Sequence, residues 1–242
     1  MTVATYLKTP VARIMSRYTK KTMSVTQALV TSRNCTEIIK FVKQNNEFEV
    51  IEIHNAYTTS PQCPNSFFDK MWRHVTRHNT VTSISLHNTN CIPKYSACVL
   101  KRDSLGAESL KENSIAFCEL RMPCMHWLHA KFACNTSLCK LVLSDNGLRD
   151  SEIAVICRVF ETNRSIIHLD ISNNQFGPNV VNNVCNTILS DNSSSVLKSL
   201  VVESNRLFDA GASLLAAVLQ TNTHLCTLNM KITISDLWVS RV

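Results

Sequence analysis

Glycine is scarce in this chain, with only 4 among 242 residues. Phosphate-binding loops need several closely spaced glycines, so the common nucleotide-binding loops are excluded. The sequence also contains no Gly-x-Ser-x-Gly segment and no His-Glu-x-x-His pair, which mark two large classes of hydrolase. We therefore predict a protein that is not an enzyme and that uses no cofactor, no metal and no small-molecule substrate.

Long apolar runs are missing as well. No segment approaches the roughly 20 apolar residues that a membrane-spanning helix requires, so we expect no membrane span. The N-terminus lacks an apolar stretch of about 7–15 residues behind basic residues, and no secretory signal is expected.

Acidic residues are absent from residues 1–36, which carry six lysines and arginines and account for +6 of the formal net charge of +7. We interpret this segment as a basic N-terminal extension of a domain covering residues 37–242. A mitochondrial transit peptide and a tail that contacts polyanions are the alternatives. The rest of the chain is nearly neutral, so we expect no nucleic-acid partner.

A five-point repeat is present between Leu138 and Met230. In the first copy the apolar positions are Leu138, Leu141, Leu143 and Leu148, and Asn146 precedes the last of them. Three further copies begin 28, 31 and 28 residues apart along the chain. This period falls in or near the range of leucine-rich solenoids. The later copies place these residues at the same points: Ile166, Leu169, Ile171, Asn174 and Phe176; Leu197, Leu200, Val202, Asn205 and Leu207; Leu225, Leu228 and Met230.

Each copy changes its hydrophobic period halfway. Alternation at the start predicts a short strand with one buried face, and spacing of three and four residues afterwards predicts a helix that packs against the strands. We expect a column formed by Asn146, Asn174 and Asn205 to satisfy the backbone of the turns. The predicted buried helix faces are Ile153, Ile156, Cys157 and Phe160; Val181, Val184, Cys185 and Ile188; and Ala212, Leu215, Ala216 and Leu219.

Residues 138–230 resemble the leucine-rich repeat family, and the long helix-bearing repeat resembles its ribonuclease-inhibitor-like subclass. Asn-x-x-Leu segments recur at Asn135 and Asn222, with Asn163 before Ile166, as they do in that subclass. The resemblance implies an α/β solenoid, a curved horseshoe with parallel strands inside and helices outside. It also implies protein–protein interaction, although members of the family bind unrelated partners.

Weaker copies of the repeat lie before Leu138, towards the N-terminus. They begin at Phe48, Val81 and Ile115, and the Asn position of the later copies holds Ala56, Thr89 and Pro123. The alternative is that these are unrelated strands of a smaller α/β region. We predict irregular outer repeats, because such repeats are expected in these arrays. The remaining strand positions are Ile51, Ile53, Ile84, Leu86, Cys118 and Leu120, and helices are expected near Thr36–Lys43 and Phe67–Val75.

The chain has 11 cysteines, an odd number that cannot be fully paired. Cys157 and Cys185 occupy one inward position in successive repeats, which suits buried free thiols. Reduced cysteines predict a reducing compartment, and we expect a cytoplasmic protein. A structural zinc site is the alternative use of one cluster, because thiolate and imidazole suit that metal. Its members are Cys118, Cys124, His126, His129, Cys134 and Cys139.

The strand side of the solenoid, here called the concave face, is the predicted binding surface for a protein partner. Its side chains are a polar mixture with charges of both signs, which suits specific contact with another protein. The upstream copy that begins at Ile115 adds Glu119 and Arg121. The candidate binding residues are Lys140, Val142, Asp145, His168, Asp170, Ser172, Ser199, Val201, Glu203, Asn229 and Lys231.

Two other functions fit the same architecture. One is activation of a small GTPase, as in some relatives, although these usually carry an acidic tail and this chain ends Ser240-Arg241-Val242. The other is a structural subunit of a cytoskeletal or ciliary complex. The sequence predicts a binding module or scaffold first, and it does not identify the partner.

Overall fold

The computed structural model describes residues 17–18, 22–26, 36–37, 40, 44, 48–55, 80–88, 110–116, 118, 120, 122–190 and 195–231. The strands are β1 (Arg17–Tyr18), β2 (Thr22–Thr26), β3 (Val50–His54), β4 (Ser83–His87), β5 (Glu112–Ala116), β6 (Lys140–Val142), β7 (His168–Asp170), β8 (Ser199–Val201) and β9 (Thr227–Asn229). The helices are α1 (Met122–Phe132), α2 (Asp150–Thr162), α3 (Pro178–Val184) and α4 (Phe208–Leu219), and α3 continues as a π-helical turn over Cys185–Leu189.

One sheet contains all nine described strands in chain order. Strands β1 and β2 are antiparallel, and every later pair is parallel. Leu169 pairs with Leu141 on one side and with Leu200 on the other, so successive repeats are in register. This arrangement is the predicted α/β leucine-rich repeat solenoid, with one strand per repeat.

The outer repeats belong to the same sheet. Strands β3 and β4 pair in parallel, with Ile51 opposite Ile84 and Ile53 opposite Leu86. All four side chains are buried. Strands β3 and β4 therefore continue the parallel sheet of the regular repeats, and their assignment to irregular outer repeats stays a prediction.

The frame predicted for the repeat at β5 is wrong by five residues. Asn113 pairs with both Ile84 and Leu141, so this repeat begins at Leu110 and not at Ile115. The error arose because a polar residue, Asn113, occupies a position that is apolar in every other repeat. With the corrected frame, Cys118 and not Pro123 stands at the Asn position.

The sheet also reaches into residues 1–36. Strand β2 pairs with β3 over five residues, so strands are present before the boundary predicted at residue 37. The division into a basic extension and a solenoid stays a prediction. Of the helix expected at Thr36–Lys43, Thr36, Glu37 and Lys40 are described and are helical. The helix expected at Phe67–Val75 lies outside the described residues.

The core lies between the strands and the helices. The faces predicted for α2 and α3 are fully buried, from Ile153 to Phe160 and from Val181 to Ile188. In α4 the prediction is partly wrong, because Leu215 is buried whereas Ala216 is exposed. The equivalent Cys185 faces the next helix, since its thiol lies 3.8 Å from the carbonyl oxygen of Leu214. No described helix follows α4, and Ala216 therefore has no comparable neighbour among the described residues.

The column of buried asparagines joins the turns that follow β6, β7 and β8. Asn174 Oδ1 accepts hydrogen bonds from the backbone N–H groups of Asn146 and Leu148 at 3.1 and 3.0 Å. Its Nδ2 donates to the carbonyl oxygens of Leu143 and Ile171 at 3.1 and 3.0 Å. One amide side chain thus satisfies backbone groups in two successive repeats, which explains the need for an asparagine there.

Cys118 continues this column in the preceding repeat. Its thiol lies 3.0 Å from the carbonyl oxygen of Ala116 and 3.6 Å from that of Leu86. Its backbone N–H donates to Asn146 Oδ1 at 2.9 Å. The thiol replaces the donor half of an asparagine amide.

A second asparagine column lies where each helix returns to a strand. Asn163 Nδ2 donates to the carbonyl oxygens of Phe132 and Asn135 at 2.7 and 2.8 Å. Asn163 Oδ1 accepts from the N–H groups of Ser165 and Ile166, each at 2.9 Å. The recurring Asn-x-x-Leu segments are therefore structural, and they fix the entry into each strand.

No helix among the described parts of the chain is both long enough and apolar enough to cross a membrane.

Asn113 differs from the asparagines of the two columns, whose side-chain amides form hydrogen bonds. Its side chain is 1% exposed, and in the described structure neither Nδ2 nor Oδ1 has a hydrogen-bond partner. A buried amide without partners costs about 1–3 kcal/mol. We predict that Asn113→Leu, which keeps the branched shape, raises the free energy of unfolding by about 1–3 kcal/mol in urea denaturation.

The matched control is Asn146→Leu, which places the same substitution at an asparagine with satisfied hydrogen bonds. This variant should be destabilised, because Nδ2 of Asn146 donates to the carbonyl oxygens of Leu143 and Ser144 at 3.0 and 2.9 Å. A destabilised Asn113→Leu variant would contradict the corrected frame.

Candidate protein-binding face

The concave face consists of the strand residues that alternate with the buried ones. Because the strands are in register, equivalent side chains form rows across the sheet. The first row contains Glu112, Lys140, His168, Ser199 and Thr227, and the second contains Ser114, Val142, Asp170, Val201 and Asn229. The structure thus brings most of the predicted binding residues together on one surface.

Charges of both signs meet in the first row. Lys140 lies between Glu112 and His168 on neighbouring strands. Partial burial lowers the pKa of His168, and the positive charge of Lys140 lowers it further. His168 is therefore held in its neutral form near neutral pH, where it can both donate and accept a hydrogen bond.

The second row places a carboxylate between two apolar side chains. Asp170 has Val142 on one side and Val201 on the other, and all three are half-buried. Asp170 Oδ1 accepts hydrogen bonds from the backbone N–H and the hydroxyl of Ser172 at 3.0 and 2.6 Å. Ser172 is itself only 4% exposed, so it holds the carboxylate in place and is not a contact residue as predicted.

Residues with positive φ form the border of the face where the strands end. Asp145 has a φ of 57°, and Asn173 and Ser204 have φ values of 51° and 56° at the equivalent positions. Partial burial raises the pKa of Asp145, although the hydrogen bonds from Ser144 and Asn173 act in the opposite direction and lower it. This border is polar, and its side chains remain within reach of a partner that lies on the strands.

The C-terminal end of the face is formed by the remaining candidates. Asn229 and Lys231 are exposed, and Glu203 is half-exposed. Asn229 Oδ1 accepts a hydrogen bond from the backbone N–H of Lys231 at 3.4 Å. From β5 to the end of the described chain, the face thus carries both acidic and basic side chains.

The repeat positions predicted from the sequence omitted residues at the N-terminal end of the concave face. Glu112 and Ser114 replace Glu119 and Arg121, which lie outside the described residues, because the frame at β5 was wrong. Further candidates lie on β3 and β4, where the repeat pattern in the sequence is weak. They include His54, whose Nε2 lies 3.3 Å from the hydroxyl of Ser85, and His87, whose ring centroid is 5.6 Å from that of His54.

The residues considered for zinc do not form one site in the described structure. Cys118 belongs to the asparagine column, Cys124 is buried in the core, and Cys134 is exposed. Partial burial lowers the pKa of His129, with a further contribution from Arg158. Among the described residues, no three His, Cys, Asp or Glu side chains are arranged to hold a metal ion.

No protein-family model matches the chain. Over 98 residues the chain is 32% identical to the protein phosphatase 1 regulatory subunit 37 homolog of Caenorhabditis briggsae. The alignment covers 40% of this chain and 10% of that protein. The chain therefore spans about a tenth of the length of this curated relative.

Three solved structures are similar to this chain. A tropomodulin C-terminal domain of Caenorhabditis elegans is 15% identical with a TM-score of 0.44, and the match covers 54% of this chain and 80% of that one. Actin-binding site 2 of leiomodin-1 is 14% identical with a TM-score of 0.45, covering 55% and 76%. An internalin of Listeria monocytogenes is 13% identical with a TM-score of 0.47, covering 92% and 50%. At this level of similarity the functions of those proteins do not transfer to this chain.

None of the seven cysteines in the described part of the chain forms a disulfide. Burial raises the pKa of the Cys157 thiol from its ordinary value of 9.0 to about 12, and it also raises the pKa of Cys185. Cys134 and Cys226 are exposed. Because the thiolate is the reactive form, the two buried thiols should be inert in the folded protein.

We predict that iodoacetamide at pH 8 labels Cys134 and Cys226 within minutes and leaves Cys157 unlabelled until urea is added.

A folded-state pKa above the unfolded one also means that Cys157 contributes stability below pH 9, which is lost as the pH rises towards 12. The free energy of unfolding should therefore fall less between pH 8 and pH 10 in Cys157→Ala than in the wild type. Equal falls in the two proteins would contradict this account.

Proposed function

We propose that the chain is a non-catalytic protein-binding module that contacts a protein partner through the concave face. The row Val142, Asp170 and Val201 is the observation that carries this proposal. It places one oriented carboxylate between two half-buried apolar side chains near the middle of the regular repeats. An apolar centre with a few charged groups is the usual composition of a specific protein interface.

The charges around this row suit a partner segment that carries charges of both signs. Asp170 and the nearby Glu203 face a basic group of the partner, whereas Lys140 faces an acidic one. Buried charges need opposite charges across an interface, because an unpaired charge loses its hydration without compensation. Affinity is expected to depend on these few residues rather than on the whole area.

The C. briggsae relative supports the non-catalytic part of the proposal, because its name describes a regulatory subunit. The same name makes the catalytic subunit of protein phosphatase 1 a candidate partner. A direct test is sedimentation velocity of this chain mixed with that purified catalytic subunit. Separate sedimentation of the two proteins at micromolar concentration would remove this candidate and leave the concave face open to another protein.

We also propose that the chain belongs to the ribonuclease-inhibitor-like subclass. Support comes from the helices, since α2 has 13 residues and α4 has 12. Helices of this length in successive repeats are typical of the long-repeat arrays, whose helical side is wider than the strand side.

A reducing compartment such as the cytoplasm is the proposed location. It is supported by the seven cysteines among the described residues, none of which forms a disulfide. Cys118 supports it most directly, because its thiol is used as a hydrogen-bond donor inside the asparagine column. A cysteine with that role cannot also take part in a disulfide.

The concave-face proposal predicts that Asp170→Asn combined with Glu203→Gln weakens partner binding about tenfold or more, since two charge pairs across the interface are lost. Asp170→Asn retains an oxygen that can accept from Ser172, so the melting temperature should stay nearly unchanged. Binding is measured by quantitative mass spectrometry of proteins captured by the wild type and the variant, and then by titration of the purified partner.

The matched control carries Arg158→Gln and Glu161→Gln on α2. Both residues are exposed on the helix side of the solenoid, so this variant should capture the same partner as the wild type. If the control variant lost partner binding and the concave-face variant kept it, the interface would lie on the helices and the proposal would be overturned.

A further inference from the structure

A solvent-open pocket lies beside the concave face, where the turns after the strands lead into the helices. Its volume is about 500 Å³, and its wall includes Arg149, Asp150, Gln175, Arg206 and Phe208. The residues with positive φ, Asp145, Asn173 and Ser204, precede these turns. A polypeptide lying on the strands can therefore reach the pocket without leaving the surface.

Gly177 lines the pocket and contributes no side chain to it. Arg149 and Gly177 each directly precede a helix, and Phe208 begins the next one, so the three residues stand at equivalent points of successive repeats. Gly177 has a φ of −110°, which any residue adopts. A Cβ atom there would meet its nearest neighbour, the carbonyl oxygen of Arg206, at 3.7 Å. Since neither the backbone nor close packing requires glycine, its effect is to leave the hollow between Arg149 and Phe208.

Two arginine side chains supply positive charge to this hollow. Arg149 and Arg206 are both exposed, and in the described structure no acidic side chain pairs with either guanidinium. Asp150 is already engaged, because its Oδ1 accepts the Gly177 N–H at 2.7 Å. Glu152, which lies next to the pocket wall, accepts the N–H of Arg149 at 3.1 Å. The two guanidinium groups therefore remain available to an external acceptor.

We propose that this pocket binds the carboxylate side chain of a glutamate or aspartate from the protein partner, which rests on the proposed binding of a partner by the concave face. The planar guanidinium fork matches a carboxylate through two parallel hydrogen bonds. The wall carries two positive charges and one negative charge, Asp150, which suits a single negative charge better than a doubly charged phosphate. The ring of Phe208 and the amide of Gln175 bound the site and favour a side chain over a free ion.

The experiment uses two small probes and no partner, so that it is independent of the concave-face test. N-acetylglutamate methylamide is titrated into the ¹⁵N-labelled chain, and N-acetylglutamine methylamide serves as the neutral counterpart. The amide signal of Gly177 and the Nε signals of Arg149 and Arg206 should shift saturably with the glutamate probe in the millimolar range. The glutamine probe should leave them in place.

Gly177→Leu fills the hollow and should weaken the glutamate probe about tenfold or more, equivalent to about 1.4 kcal/mol. Gly177→Ala is its matched control and should bind as the wild type does. Arg149→Gln with Arg206→Gln keeps Gly177 and should also lose binding, so the result does not depend on the folding of the leucine variant. The amide spectrum of each variant checks its fold.

Three outcomes would overturn the proposal. They are the absence of saturable shifts, undiminished binding in both the leucine and the glutamine variants, and at least about tenfold tighter binding of N-acetylphosphoserine methylamide. The last result would assign the pocket to phosphorylated partners. None of them bears on Asp170 and Glu203, whose variants test the concave face separately.

Discussion

The hydrogen bonds made by buried asparagine side chains are the interaction on which the rest of the fold depends. A short strand followed by a helix cannot bury its own apolar face, so every repeat needs its neighbours. Stacking the repeats also buries the turns, whose backbone groups then lose contact with water. Asn146, Asn174 and Asn205 satisfy those groups in their own repeat and in the adjacent one, which lets the turns pack tightly.

The same constraint explains how Cys118 and Asn113 fit the fold. Cys118 can replace an asparagine because its thiol still donates to the carbonyl oxygens of Ala116 and Leu86. Asn113 stands at a buried position that holds Ile84 and Leu141 in the neighbouring repeats, and its amide finds no partner there in the described structure. An identical side chain is therefore stabilising at one point of the repeat and costly at another, according to what surrounds it.

The concave face and the neighbouring pocket have different physical origins. The face follows from strand register, which converts one residue per repeat into a row of side chains across the sheet. The pocket lies where the helices begin, at a position that varies between repeats. Gly177 stands there between the large side chains of Arg149 and Phe208. Regular positions thus create an extended surface, and a single irregular position creates a local site on it. A partner that uses both would be selected by its charge pattern and by one inserted side chain.

The sequence by itself determined the repeat, the alternation of strand and helix, and most residues of the concave face. These depend on local period, and period can be read from neighbouring residues along the chain. It failed at β5, where a polar residue in an apolar position hid the frame, and it could not place His54, Ser85 or Gly177 in a site. Only the tertiary structure decided the strand register, because register depends on which residues thirty positions apart become neighbours. The burial of Ser172 and the hollow at Gly177 depend on those same neighbours, and so they too required the folded chain.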